Sequence, residues 1–153
     1  MPFTGSLNFV GQGKVEFPYF ENIGDYKAGV ANVPLSNFVY QLLFTIDVET
    51  AGPYQFFAYS KNGALLYVDD TLVVDNDGNH NLRWRDGSMT LNAGQHRILV
   101  QGEVYDDPHA EFFYKGPDTA EVRRIIRGVP GIDPPPRAEF KSQWRMHMSA
   151  PTP

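Results

Sequence analysis

Three short polar stretches are the places to look for a ligand: Lys61-Asn62, Asp75-Asn76-Asp77-Gly78-Asn79-His80 and Asp106-Asp107-Pro108-His109. The second stretch, with Asp86 following at Gly87, has the carboxylate and amide composition of a calcium loop. In a helix-loop-helix calcium site, however, glycine takes the sixth position, whereas Gly78 is fourth here and both flanks read as strands. The expected structure is a polar turn whose Asn and Asp side chains satisfy their own backbone, and Asp106-Asp107 reads the same way. His80, His96, His109 and His147 are scattered without metal-ligand spacing, and no Gly-x-Ser-x-Gly or glycine-rich phosphate loop occurs. The acidic residues are too numerous and too loop-bound to nominate the opposed carboxylate pair of a glycosidase. The absence of cysteine excludes thiolate metal sites, disulfides and cysteine nucleophiles together. A binding protein without catalytic residues, metal or other cofactor is the expectation.

Whatever positions these stretches must be built from 153 residues, one domain's worth of chain. With 42% hydrophobic and 14% aromatic residues the chain is too apolar for disorder. Its 14 Gly and 12 Pro favour short strands and turns over a helical bundle. A net charge of −5 would repel a phosphate backbone, which excludes nucleic acid as a partner. The basic residues do gather late, in Arg123, Arg124, Arg127, Arg137, Lys141 and Arg145, where they form either a solvated face or a landing place for an acidic patch. No run approaches the ~18 apolar residues of a membrane-spanning helix. The opening MPFTGSLNFV lacks the basic and apolar regions of a cleavable signal, so if Met1 is the natural start the expected compartment is cytoplasmic, cytoskeletal and ciliary assemblies included. An extracellular setting is the alternative, if Met1 is not that start or export takes another route.

The clearest pattern runs from Phe38 to Val48, where Phe38, Tyr40, Leu42, Phe44, Ile46 and Val48 take every even position. A period of two means a long strand with one buried face, and Val39 and Leu43 on the odd side imply partial cover of the other. Alternation restarts after Ala51-Gly52-Pro53 in Tyr54, Phe56 and Ala58, and this strand is expected to pair antiparallel with the first. Leu66, Val68, Leu72 and Val74 bracket Asp69-Asp70 as a hairpin. Met89 and Leu91, then Ile98 and Val100, flank a glycine turn at Asn92-Ala93-Gly94, and Phe112 and Tyr114 lead to Gly116-Pro117. This spacing suits a sandwich or barrel, closed by an early strand around Leu7 and Val10. The expected core is Tyr40, Leu42, Phe44, Ile46, Tyr54, Phe56, Leu66, Val68, Val74, Ile98 and Val100.

Past the strands, Val122, Ile125 and Ile126 fall at helical spacing between a capping Asp118 or Thr119 and Gly128, which predicts a short helix over 118–128. From Val129 the prolines imply an extended tail over 129–153, leaving a β-sandwich module over 1–117. Phe140, Trp144 and Met146 are the side chains this tail could insert into a partner, or into the domain itself.

Gly52-Pro53-Tyr54-Gln55-Phe56, Ser60-Lys61-Asn62-Gly63-Ala64-Leu65-Leu66-Tyr67-Val68-Asp69-Asp70, Leu72-Val73-Val74-Asp75-Asn76-Asp77-Gly78-Asn79-His80, Leu91-Asn92-Ala93-Gly94-Gln95-His96-Arg97-Ile98 and Tyr114-Lys115-Gly116-Pro117 resemble, in order, the protective-antigen module family. Members occur in anthrax protective antigen, yeast flocculins and adhesins, and some bacterial β-glucosidases. The resemblance implies an all-β antiparallel sandwich or barrel that often binds carbohydrate. Lectin-type members carry a calcium-holding Asp-Asp pair where this chain has Lys61-Asn62. Replacing two carboxylates by an ammonium and an amide removes the charge that a hard cation needs. Calcium is therefore only the alternative expectation.

Two readings follow. The first is a small structural subunit docking on protein partners in a larger assembly, in which the tail supplies the contact. The second is a carbohydrate-binding, lectin-like module with Lys61, Asn62, Asp75, Asn76, Asp77, His80, Asp106 and Asp107 as ligand-binding candidates, since loops at one end of a sandwich commonly carry binding residues.

Overall fold

The computed structural model describes residues 7–15, 17–129 and 145–151. Two antiparallel sheets enclose one core. The first has the order β1 (Leu7–Gly13), β11 (Arg145–Pro151), β3 (Phe38–Val48), β8 (Gly94–Val104), β5 (Ala64–Val68) and β6 (Thr71–Asn76). The second runs β10 (Arg124–Ile125), β9 (Ala110–Lys115), β4 (Gly52–Ser60) and β7 (Arg83–Leu91), with β2 (Tyr19–Phe20) also pairing β9. The sheets stay separate at β6 and β7 although the two strands pack closely. A Cβ on Gly87 would lie 1.8 Å from the Val73 carbonyl oxygen, so only glycine fits there. No described helix is long and apolar enough to cross a membrane.

Alternation decides what faces inward. All six even-numbered residues from Phe38 to Val48 are buried, and so is every member of the expected core. Leu43 points the other way and is covered by Leu99 and Tyr67, which accounts for the apolar residue on the strand's outer face. The hairpin between β5 and β6 turns on Asp69 and Asp70 as expected, both left-handed at φ 49° and 68°, the conformation a two-residue turn needs to match strand twist.

β4 does not pair with β3. It pairs with β7 and β9, so Glu49–Ala51 carries the chain across the core from one sheet to the other. Tyr54, Phe56 and Ala58 therefore face the even-numbered side chains of β3 rather than lying beside them. Asp118 fixes this crossing by accepting hydrogen bonds from the amides of Glu49 (2.8 Å) and Thr50 (2.9 Å), while the Tyr54 hydroxyl donates to the Thr50 carbonyl at 2.7 Å.

The helix expected over 118–128 is absent; a 3₁₀ turn at Pro117–Thr119 gives way to β10. Asp118 is committed to the crossing, and Ala120 and Glu121 adopt left-handed φ of 52° and 60°, which ends any right-handed turn. Val122 is consequently exposed and Ile126 buried, on opposite sides instead of one stripe. The described α-helix is instead α1 (Ile23–Lys27), started by a reciprocal Asn22 and Asp25 capping box.

The described segments past 117 also pair with the sandwich. β10 completes the second sheet, Val129 donates its amide to the Thr45 carbonyl at 2.9 Å, and β11 lies between β1 and β3 in the first sheet. Met146 sits in register with Gly13 and Leu42 within that sheet, not on a free arm. Phe140 and Trp144 lie outside the described residues.

Candidate functional site

Antiparallel order brings every second connection to the same end of the sandwich. The β4–β5, β6–β7 and β8–β9 loops, which contain the three polar stretches, meet there. The Lys61 amide donates to the His109 carbonyl and the Asn62 amide to the His80 carbonyl, each at 3.0 Å. Lys61, Asn79, His80, Asn81, Tyr105 and Asp106 line the resulting open, polar cleft of about 500 Å³.

Its floor is a polar scaffold in which Ser60, Asn62, Asn76 and Glu103 are buried and Asp77 and Arg83 half-buried. Asn62 is left-handed at φ 68°, and its carbonyl accepts from Ser60 Oγ at 3.0 Å. Ser60 Oγ accepts from Asn76 Nδ2 at 3.0 Å, and Asn76 Oδ1 from Arg83 Nε at 2.7 Å. Arg83 also donates to the Asp77 carbonyl at 3.1 Å. Glu103, 1% exposed, exchanges two bonds with Gly63: its amide donates to the Gly63 carbonyl at 2.9 Å, and its Oε1 accepts from the Gly63 amide at 3.2 Å. A Cβ on Gly63 would fall 2.5 Å from Glu103 Oε1 and 2.7 Å from Asp77 Oδ1, so the loop closes over these carboxylates only because it has no side chain there. Burial pushes the Glu103 carboxyl up to about 7; the Gly63 amide opposes this and the nearby Asp77 adds to it.

At the rim, Lys61 Nζ stands 3.3 Å from Asp106 Oδ2. Asp106 is held below its usual range first by the Asp107 amide and then by the Lys61 ammonium. The buried Asn62 amide is near enough to act on Asp106 but makes no hydrogen bond of good geometry. His80 sets Nδ1 2.6 Å from the Asn81 carbonyl and Nε2 2.9 Å from that of Asn76, and His109 Nε2 pairs with Glu111. Both imidazoles thus hold loops in place. Behind the third loop, the Tyr26 hydroxyl donates to the Pro108 carbonyl at 2.7 Å and ties it to α1.

Of the candidates named from sequence, Lys61, Asn62, Asn76, Asp77, His80 and Asp106 come together. Asp75 and Asp107 serve their own turns, bonding the amides of Asp77 (3.1 Å) and His109 (3.0 Å). The polar stretch 75–80 already contained Asn79, whereas the sequence reading missed Asn81 and Tyr105 on the wall and Glu103 and Arg83 beneath it. Glu103 carries a legible signal, a lone acid at the end of the apolar run Ile98–Val104.

Comparison with solved structures returns the same architecture. The PA14 sugar-binding domain from an RTX adhesin superposes with a TM-score of 0.58 at 16% identity, over 78% of this chain and 75% of that one. The chain has the PA14 fold. The PA14 domain of the MpAFP antifreeze protein gives 0.57 at 15% identity, over 80% of this chain and 69% of that chain. An anti-sigma factor domain-containing protein from Clostridium clariflavum gives 0.59 at 17% identity over 75% of this chain, which spans 37% of that protein's length. Neither a protein-family model nor a curated protein matches the sequence. In this PA14-type module no peptide among the described residues is cis, Lys61-Asn62 included.

Proposed function

We propose that this PA14-type module binds carbohydrate, without catalysis, in the cleft between the 61–63, 77–82 and 105–109 loops. The observation that carries this reading is the convergence of the three loops on one polar cleft of about 500 Å³, within the size range of small-ligand sites. Lys61, Asn79, Asn81, Tyr105 and Asp106 offer donors and acceptors of the kind sugar hydroxyls need, on a floor braced by the hydrogen bonds linking Ser60, Asn76 and Arg83. Lys61 supplies the positive charge beside Asp106, so binding needs no calcium or other cofactor. The sugar-binding designation of the RTX adhesin neighbour supports the same choice. A protein-assembly role, expected from a docking arm, loses support because Arg145–Pro151 belongs to the sheet.

A glycan-array screen of the intact chain, repeated with a chelator, tests the proposal. Binding that survives chelation and weakens at least tenfold in Lys61→Ala and Asp106→Ala is expected. No retained glycan, or retention indifferent to both substitutions, contradicts it.

A further inference from the structure

On this acidic chain, positive charge concentrates near the end of β9 away from the loop cluster. Arg123, Arg124 and Arg127 line a cleft of about 480 Å³ with Phe17, Tyr114 and Ile125, and no carboxylate is among its described lining residues. None of the ion pairs among the described residues involves these guanidiniums. Two of them lie on aromatic rings instead. Arg123 Cζ is 4.1 Å from the Trp84 ring centroid, with Phe113 at 5.4 Å and Phe57 at 5.6 Å, and Arg127 Cζ is 4.9 Å from that of Phe17.

Stacking occupies the face of a guanidinium and leaves its in-plane N–H donors available, already oriented. The backbone beneath is fixed as well: Arg124 is in register with Tyr114, and the buried Ile126 donates its amide to the Phe112 carbonyl at 3.2 Å. Three like charges within five residues, with no carboxylate among the cleft's described lining residues, repel one another, and an oxyanion would relieve that repulsion while accepting paired N–H bonds.

We propose that this cleft is an anion subsite that takes the carboxylate or sulfate ester of an acidic glycan. The inference rests on the carbohydrate reading above and names the class of glycan. Phe17 and Tyr114 provide apolar walls for the sugar ring that bears the charge. β9 joins the two sites, with His109 just before its start and Tyr114 near its end, about 17 Å apart at a strand's rise per residue. An oligosaccharide of several rings is long enough to span that distance.

The test is calorimetric titration of the intact chain at fixed ionic strength with a sulfated oligosaccharide, an oligouronate, a neutral oligosaccharide of equal length, inorganic sulfate and an oligoglutamate peptide. Either acidic glycan should bind at least tenfold more tightly than the neutral one. Arg124→Gln/Arg127→Gln, checked for an unchanged melting temperature, should remove that margin and leave neutral binding as it was. Neutral binding reports on the loop cleft, so its failure sinks the earlier reading, whereas the acidic-to-neutral ratio reports on the arginines alone. A ratio near one, a margin that survives the double substitution, or equal affinity for oligoglutamate overturns the proposal. So does binding of inorganic sulfate without any preference for acidic glycan.

Discussion

Glu103 joins the loop cluster to the core through Gly63, and its titration gives the cluster a pH signature. Buried, its carboxyl titrates near 7, against an ordinary value of 4.5 in the unfolded chain. Between those values the unfolded chain gives up its proton first, so this residue's contribution to stability falls as pH rises through the window and is fully lost above it. Glu103→Gln should flatten the melting temperature across pH 4.5–7 and raise it relative to the parent at pH 8; parallel curves would contradict this. His96 acts in the same direction at higher pH. Burial lowers its imidazole, but Asp69 at 2.6 Å and the Asn92 carbonyl bring it above its usual value, and the stability it adds below about 6.5 is lost as pH rises through that raised value. Asp118 is a different case, because its two charge-assisted bonds to the sheet crossing have no replacement. Asp118→Ala should cost about 1–2 kcal/mol in chemical denaturation, and a change below the error of the measurement would contradict its role in fixing the crossing.

The elements differ in how far the sequence announces them. β3 was legible because a period of two over eleven residues, with one face wholly buried, has no other reading. The partner of β4 was not, because alternation tells which side chains face the core but not whether the next strand lies beside its predecessor or across from it. The missing helix has the same kind of cause: 3.6-residue spacing at Val122, Ile125 and Ile126 was outweighed by two left-handed residues whose placement depends on Asp118 bonding 68 and 69 positions back. β11 was hidden because an N-terminal and a C-terminal segment meet only in the folded sheet. Its position between β1 and β3 makes a prediction that an independent tail would not. Removing residues 145–153 should lower the melting temperature sharply and expose the amides of Leu7–Gly13 to hydrogen exchange, whereas continued protection of those amides would show that β1 does not depend on β11.

For the whole molecule, the sequence supplied the loops and the fold supplied their meeting. Alternate connections of an antiparallel sandwich share an end, but residue spacing alone left open whether these three loops are among those that do. Tyr105, Asn81 and the Glu103 floor could not be assigned without the register. The account's central claim is that the three loops form one ligand site, and amide shift mapping during titration with a glycan retained on the array tests it most directly. Perturbations should concentrate at Lys61–Gly63, Asn79–Asn81 and Tyr105–His109, and a charged glycan should add Tyr114 and Arg123–Arg127. Shifts confined to the opposite end, around Glu49–Ala51 and Asn92–Gly94, or none at saturating glycan, would contradict it.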